Sequence, residues 1–340
     1  MSAAPGSALV LAGDIGGTHT RFVLAEVSTD VGAVLRVLAR EDLESPTLAV
    51  RSSLEDAAAA FLARAASVGA VTPASVVMAC AGPVRAGESR VTNLPWVVRE
   101  DRLREATGAA HVRVVNDFEA MARGTLTLGE HELEVLQQGE RDPHGARLVL
   151  GAGTGLGQAW VVASPNAAPR VFTSEGGHVS FAPRDAFENG LLQHLRAQHG
   201  RVSAERVVSG LGLVALYDHI VASNIAPTLE AVRAAVAQHG ARAVGEAVTD
   251  AAAVLAVERF VSLYGAHAGD AALSLLPRAG VVLTGGISVA LLSRLRTGFM
   301  PGFLDKGRLR PALEPLHVAV ALAPDTGLRG ALALGTDPVT

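Results

Sequence analysis

The chain has 340 residues, 49% of them apolar, and a formal net charge of −4. This length predicts about two domains, and the mild negative charge offers no basic surface for nucleic acid. Of the 29 basic residues one is a lysine, Lys306, and Gly307 and Arg308 follow it. A Walker A loop and a protein-kinase site each need a lysine in its own sequence context. The composition therefore excludes both, and any phosphate site in this chain works without lysine.

The sequence predicts a cytoplasmic protein that does not associate with membranes. Its single cysteine, Cys80, allows no internal disulfide and is typical of a reducing compartment. The longest stretch without charge, from Leu148 to Pro169, is long enough to span a bilayer. Its four glycines and its prolines argue against a spanning helix.

The N-terminal segment reads as a strand, a glycine-rich turn and a second strand. Ala8 to Ala12 is a short apolar run typical of a buried strand, Gly13 to Thr20 contains the glycines, and Arg21 to Val27 is again strand-like. A dinucleotide-binding fingerprint or a P-loop would lead from the turn into a helix. The pattern therefore excludes a Rossmann site. A third strand from Val34 to Ala39 and one helix from Ser45 to about Ala66 follow.

The rest of the chain alternates strands and helices and then repeats the opening unit. Further strands are predicted over residues 75–79 and 112–115, and helices over 99–107 and 118–123. A second strand, glycine turn and strand then occupy residues 147–163. Mostly helical sequence follows, with predicted helices over 185–199, 210–222, 228–238 and 250–276, a strand over 280–284, and a helix from about 289. The pattern predicts an α/β fold with an internal duplication.

Three glycine turns are candidates for binding phosphate or nucleotide. In Asp14 to Thr18 and in Gly151 to Gly155, glycines leave backbone N–H groups free to point at an anion. Asp14 can hold Mg²⁺ through water. Each turn alone also fits an ordinary hairpin, but the pair would clamp a triphosphate without lysine. Gly285 and Gly286, between a strand and a helix, would seat adenine or ribose, or else allow close packing.

Acidic residues and a histidine supply the remaining candidates. Asp117 follows Asn116 at the end of a buried strand, where it would accept the proton of an attacking hydroxyl or else cap the next helix. Glu175 and His178, three residues apart on a tight turn, suit the hydroxyls of a sugar, although a surface turn would look the same. Glu205 fits the capping-box pattern.

Six of these motifs occur in the order seen in the bacterial glucokinases, and the chain resembles that family from about Val10 to Gly330. The motifs are Leu11–Arg21, Val115–Glu119, Gly151–Gly157, Glu175–His178, Val202–Gly210 and Leu283–Ile287. The resemblance implies the duplicated α/β fold of actin and hexokinase, which is ribonuclease H-like, with two domains and a cleft between them. It places the small domain at residues 1–122 and 322–340 and the large domain at 123–321.

The resemblance also implies a function, which is ATP-dependent phosphorylation of D-glucose at the 6-hydroxyl. Asp117 would be the catalytic base, Asp14 would hold Mg²⁺ through water, and the protein would be a cytoplasmic homodimer. The implied sugar ligands are Thr92, Asn93, Asn116, Asp117, Glu175, His178 and Glu205. The implied ATP ligands are Gly13, Asp14, Ile15, Gly16, Gly17, Thr18, Gly153, Thr154, Gly155, Gly285 and Gly286. His19 stands where many family members have asparagine. We expect it to be a tolerated variant, since the preceding glycines and Thr18 are intact, and the alternative is that its imidazole reaches phosphate and adds a pH-sensitive donor.

Three other functions fit part of the same sequence. A kinase for fructose, mannose or an N-acetylhexosamine would differ only in the shape of its pocket. A sugar-sensing regulator would need an N-terminal helix-turn-helix, and a first strand near residue 8 leaves no room for one. A filament-forming actin-like ATPase would not need Glu175 and His178. Because no lysine has a catalytic role, we expect Lys306→Arg to leave activity intact.

Overall fold

A computed structural model describes residues 6–29, 32–66, 72–164 and 167–337 of the chain. The chain divides into two compact units. The first unit consists of Met1–Glu130, Ser164–Thr173 and Ala323–Thr340, and the second of His131–Ala163 and Ser174–Leu322. The domain boundaries expected from the sequence stay a prediction.

The described ranges contain a mixture of strands and helices. The strands are β1 (Ser7–Ile15), β2 (His19–Ser28), β3 (Val34–Glu44), β4 (Ser75–Cys80), β5 (Val84–Arg85), β6 (Glu88–Arg90), β7 (Val97–Arg99), β8 (His111–Asn116), β9 (Leu133–Gln137), β10 (Ala146–Ala152), β11 (Leu156–Ser164), β12 (Ala167–Ser174), β13 (Val281–Thr284) and β14 (Val318–Ala321). The α-helices are α1 (Ser45–Arg51), α2 (Leu54–Ala66), α3 (Glu100–Thr107), α4 (Asp117–Gly124), α5 (Ala186–His199), α6 (Gly210–Ala222), α7 (Glu230–His239), α8 (Ala241–Glu246), α9 (Ala251–Leu275), α10 (Gly286–Ala290), α11 (Leu292–Leu304), α12 (Arg310–Leu313) and α13 (Thr326–Leu334).

The first unit is built on a five-stranded sheet of order β3-β2-β1-β4-β8. Strand β1 pairs antiparallel with β2 and parallel with β4, and β4 pairs parallel with β8. The central strands of this sheet are buried on both faces, so their sequences are nearly continuous apolar runs. The parallel register sets Ile15, Cys80 and Asn116 side by side. The carboxyl ends of β1, β4 and β8 therefore share one edge, which is where functional side chains of open α/β sheets gather.

The single helix expected over residues 45–66 is wrong, because the chain forms two helices there. Ser52 ends α1 in an extended conformation. The hydroxyl of Ser53 then accepts a hydrogen bond from the backbone N–H of Asp56 at 3.0 Å and donates one to its carboxylate at 2.7 Å. A serine followed three residues later by an acidic residue is a helix-start signal, so the sequence did contain this break.

The second unit is built on five strands that are hydrogen-bonded in the order β11-β10-β13-β14-β9. As in the first unit, a central strand, β10, pairs antiparallel with the strand that follows its glycine turn and parallel with another strand, β13. The expected repeat of strand, turn and strand is therefore confirmed. Strands β9, β12 and β14 have no counterpart in the sequence prediction. The long helix α9 packs its small and aromatic residues into the core of this unit.

None of the helices within the described ranges is both long and apolar enough to cross a lipid bilayer.

Candidate functional site

The first glycine turn is shorter than the sequence indicated. Gly13 to Ile15 belong to β1, where pairing with β2 on one side and β4 on the other occupies the backbone. Only Gly16 to Thr18 form the turn, which the backbone N–H of Gly16 closes by donating to the carbonyl of His19 at 2.9 Å. A Cβ on Gly13 would collide with the sulfur of Met78. Gly13 is therefore required for packing inside the sheet.

Asp14 lies at the end of β1 beside an ion pair that the sequence analysis missed. In the β1–β2–β3 register Asp14 is opposite Arg21, and Arg21 is opposite Asp42. The guanidinium of Arg21 lies 3.2 Å from Asp14 and 3.0 Å from Asp42. Burial raises the pKa of Asp14, and the positive charge of Arg21 partly offsets this rise. Reading the hairpin register from the sequence would have placed Arg21 next to Asp14.

Asn116 and Asp117 lie at the junction of β8 and α4, and they have different structural roles. Asn116 is the N-cap, since its side-chain oxygen accepts from the backbone N–H of Phe118 at 3.0 Å. Its amide nitrogen donates to the carbonyl of Gly82 at 3.0 Å. Asp117 is the first helical residue, so the alternative that it serves as the N-cap is wrong.

The carboxyl group of Asp117 is electrostatically perturbed. Burial raises its pKa to about 6, and the negative charge of Asp14 adds to the rise. A hydrogen bond of 2.9 Å from the backbone N–H of Phe118 acts in the opposite direction. A carboxyl group with a pKa near 6 is mostly ionised at neutral pH and is matched to general base catalysis.

Thr92 and Asn93 lie in the loop between β6 and β7. The backbone N–H of Thr92 donates to the carbonyl of Ala81 at 2.8 Å, which ties the loop to the end of β4. A Cβ on Gly17 would lie 3.6 Å from the carbonyl oxygen of Thr92, so this loop borders the first glycine turn. Asn93 adopts a positive φ of 64°. Its neighbours Thr92 and Leu94 are at least partly exposed.

The second glycine turn, Gly153 to Gly155, joins β10 to β11. The backbone N–H of Gly153 donates to the carbonyl of Gly155 at 2.9 Å, and the carbonyl oxygen of Gly153 accepts from the N–H of Gly210 at 2.8 Å. Gly285 has a φ of 90°, and a Cβ there would lie 2.5 Å from the carbonyl oxygen of Ala152. Gly285 is therefore required both for its backbone conformation and for its approach to β10. Gly286, at the start of α10, and Thr154 are exposed.

Glu175, His178 and Glu205 come together in the second unit. His178 places Nε2 at 3.7 Å from a carboxylate oxygen of Glu175 and Nδ1 at 3.9 Å from one of Glu205. The other oxygen of Glu205 accepts from the backbone N–H of Leu156 at 3.0 Å. The capping-box interpretation of Glu205 is wrong, since the short 3₁₀ turn Ala204–Arg206 has no side-chain cap. Its carboxylate instead reaches the start of β11.

Two further residues singled out from the sequence have structural partners. His19 is about half exposed, and its Nδ1 lies 3.1 Å from the exposed carboxylate of Asp42. Lys306 is buried, with 7% of its side chain exposed, and its ammonium group lies 2.9 Å from Asp270. The one lysine of the chain is therefore part of the packing of the second unit.

The donor set around Asp14 suits a metal ion only if a substrate completes the coordination. In the part of the chain that the structure describes, no cluster of three or more His, Cys, Asp or Glu side chains is placed to hold a metal. Asp14 and Asp117, however, are carboxylates close enough for the charge of one to raise the pKa of the other. Mg²⁺ is commonly bound by one or two carboxylates together with water and phosphate oxygens. The residues present fit that arrangement.

The expected site residues thus form two groups, one in each unit. The group in the first unit comprises Asp14, the turn Gly16–Thr18, Thr92, Asn93, Asn116 and Asp117. The group in the second unit comprises the turn Gly153–Gly155, Glu175, His178, Glu205, Gly285 and Gly286.

Comparisons with known proteins identify what the chain is similar to. The glucokinase family model matches residues 11–337. A glucokinase of Synechocystis sp. is 39% identical over 94% of this chain and 96% of its own length. The crystal structure of a glucokinase from an Antarctic psychrotroph is 30% identical with a TM-score of 0.80, and the match covers 96% of this chain and 98% of that one.

A more distant structure shares the fold alone. It is a ROK family glucokinase from Streptomyces griseus in complex with glucose and AMPPNP, 22% identical with a TM-score of 0.63, and the match covers 96% of this chain and 99% of that one. Together these likenesses confirm the expected fold class, an α/β fold of the actin and hexokinase type.

Proposed function

The chain belongs to the glucokinase family, and from this premise we propose that it transfers the γ-phosphoryl group of ATP to the 6-hydroxyl of D-glucose with Asp117 as general base. The observation that carries the proposal is the Asp117 carboxyl group at the end of β8, whose pKa burial raises to about 6. At pH 7 this group is mostly ionised, and it still binds a proton more readily than an ordinary aspartate. It therefore accepts the hydroxyl proton as the oxygen attacks phosphorus.

The surroundings of Asp117 hold it in position for that task. Asn116 caps α4 and is itself tied to Gly82, so the junction of strand and helix is fixed by two side-chain hydrogen bonds. The N-terminus of α4 favours the ionised form of the carboxylate through the helix dipole. Burial favours the protonated form, and the hydrogen bond from the N–H of Phe118 opposes it, with a resulting pKa of about 6.

Acceptor side chains are the proposed ligands of glucose. Glu175, His178 and Glu205 form one cluster, and carboxylate and imidazole acceptors suit neighbouring sugar hydroxyls. Glu205 is fixed by the N–H of Leu156, so it presents its second oxygen in a defined direction. Within the first unit, Asn116, Thr92 and Asn93 are the proposed sugar ligands.

The triphosphate is bound by backbone N–H groups of the glycine turns. Gly17 and Thr18 in the first turn and Thr154 and Gly155 in the second are the proposed donors, because the N–H groups of Gly16 and Gly153 donate to His19 and Gly155 within their own turns. Gly285 and Gly286 border the nucleoside. Asp14 holds Mg²⁺ through water, and when bound this ion neutralises the negative charge of the β- and γ-phosphates. Arg21, paired with Asp14 and Asp42, keeps the Asp14 carboxylate oriented at the end of β1.

Some finer expectations stay predictions. They are a homodimer, a cytoplasmic location and the preference for glucose over other hexoses. A coupled assay over a panel of hexoses and phosphate donors measures the last of these directly.

The test of the base is Asp117→Ala. We expect turnover to fall by a factor of about 10² to 10⁴, while glucose still binds in a calorimetric titration. Asp101→Ala removes an exposed carboxylate from the first turn of α3 and serves as the matched control. Turnover of Asp117→Ala above about a tenth of the wild-type value would exclude the base role, because that loss is far below the range for general base catalysis.

Asp14→Asn provides a second, independent test of the same site. The substitution removes the negative charge that raises the pKa of Asp117. The acid limb of the pH profile of kcat/KM should therefore move from about pH 6 to a lower pH, while the maximum falls because the metal is held less well. An acid limb that stays at the same pH would show that Asp14 and Asp117 do not interact.

A further inference from the structure

A cavity of about 200 Å³ lies within the second unit, between helix α9, strand β11 and the chain that follows Gly176. Apolar side chains form much of its wall, among them Phe181, Val207, Val208 and Leu263. None of the side chains to which we give a role in phosphoryl transfer lines it.

Two buried polar side chains line this cavity, and each has one atom without a hydrogen-bond partner among the described residues. Gln158 on β11 is 7% exposed and His267 on α9 is 9% exposed. Within the described residues, neither the amide oxygen of Gln158 nor Nε2 of His267 has a hydrogen-bond partner. A buried polar atom without a partner is costly. Two such atoms on one small apolar cavity are the arrangement expected of a ligand pocket.

The charges around the cavity are already matched. Arg184 binds the buried carboxylate of Glu188 at 2.6 Å, and Asp270 pairs with Lys306 at 2.9 Å. Burial lowers the pKa of His267 to about 4, so its imidazole is neutral at pH 7. A charged molecule would find no free counter-charge here, whereas a hydroxyl group both donates and accepts and so suits the amide and the imidazole.

We propose that this cavity binds a small uncharged molecule carrying hydroxyl groups, held by Gln158 and His267 and packed against Val207 and Leu263. The exposed residues Val179, Asp270 and Ser274 also line the cavity and form its mouth.

The pocket adjoins the turn that carries Glu175 and His178. Gly176 packs so closely on the amide of Gln158 that a Cβ would collide with it. A molecule that donates a hydrogen bond to the Gln158 oxygen therefore holds the side chain against which this turn rests. The binding site itself is independent of the proposed function, and only this consequence rests on it.

The test compares three probes of nearly equal size and different charge. They are glycerol, which is neutral, glycerate, which is an anion, and 2-amino-1,3-propanediol, which is a cation. Binding is followed by saturation-transfer NMR on the full-length protein without glucose or nucleotide, and the variants below distinguish this cavity from the substrate site. We expect glycerol to bind with a Kd in the millimolar range and the two charged probes to bind at least tenfold more weakly.

Two variants test whether the NMR signal comes from this cavity, and a third variant serves as a control. His267→Leu removes the imidazole, and Ser274→Phe blocks the mouth of the cavity. Because Ser274 is exposed, this second variant tests the proposal even if His267→Leu does not fold. Both should abolish glycerol binding, while His199→Leu, on the surface of α5, should leave it unchanged. Equal signals from all three probes, no glycerol signal, or a signal that survives Ser274→Phe would overturn the proposal. Turnover of the same variants, measured in separate samples with glucose and ATP, reports separately on the proposed kinase activity.

Discussion

Replacing Asp117 by asparagine should make the protein more stable and at the same time inactive. The carboxyl group is partly buried next to the negative charge of Asp14, and its pKa rises from 3.8 to about 6. An ionised group held in such a place at neutral pH destabilises the folded state. Asparagine keeps the size and the oxygen that accepts from Phe118, but it carries no charge. Catalysis is lost because the amide cannot accept the proton.

The size of the stability gain follows from the pKa. A shift from 3.8 to about 6 corresponds to roughly 3 kcal/mol at 1.36 kcal/mol per unit. Solvent screening of a partly exposed group reduces this value, so we expect a gain of roughly 1–3 kcal/mol above pH 6. Between about pH 4 and pH 6 the folded protein binds more protons at this site than the unfolded chain. The free energy of unfolding of the wild type therefore falls as the pH rises through this window.

The assay is urea unfolding of the wild type and of Asp117→Asn at pH 4.5, 5.5, 6.5 and 7.5, with turnover measured in parallel. The gain in the free energy of unfolding should be largest at the two higher pH values and smallest at pH 4.5. Asp101→Asn is the matched control, because a hydrogen bond from Arg99 lowers the pKa of that exposed carboxyl group. It should give no gain and wild-type turnover. A loss of stability in Asp117→Asn at pH 7.5, or a gain that does not change with pH, would refute this reasoning.

Two further predictions concern packing around the second glycine turn and around the lysine. Gly155→Ala would put a methyl group 2.6 Å from the carboxylate of Glu205, so the KM for glucose should rise about tenfold or more. Gly153→Ala, whose methyl group would meet nothing within 4 Å, should leave that KM unchanged, and equal effects in steady-state kinetics would contradict the argument. Lys306→Arg should lower the free energy of unfolding by about 1–3 kcal/mol through overpacking, since the side chain is 7% exposed and paired with Asp270. Turnover per folded molecule should stay at the wild-type value, and an unchanged urea midpoint would show that the larger guanidinium fits.

Much of the fold could be predicted because it rests on local patterns. The strands on either side of the turn Gly16–Thr18 are apolar runs separated by glycines. Such runs can be recognised in the sequence without any knowledge of tertiary contacts. The break between α1 and α2 was missed, although Ser53 and Asp56 carry its signal. Arg21 was missed for a different reason. Its place beside Asp14 depends on the register of β1 and β2.

The sequence by itself determined the chemistry available to this protein. It predicted that any phosphate site works without lysine, and it marked Asp117 and the acidic and histidine side chains as candidates. The order of its motifs also indicated the glucokinase family. These conclusions need only residue types and spacing, since a carboxylate, a glycine turn or an apolar strand keeps its chemical character in any fold.

Only the tertiary structure decided how these groups behave. It joined Glu205 to the N–H of Leu156, 49 positions away in the chain, and it raised the pKa of Asp117 by burial. It also buried Lys306, whose stem packs over Gly269 so closely that a Cβ there would lie 2.6 Å from it. Desolvation and contacts between distant residues depend on how the elements pack, and no local pattern records that packing. The lone lysine that composition marked as dispensable for catalysis is therefore a residue on which packing depends.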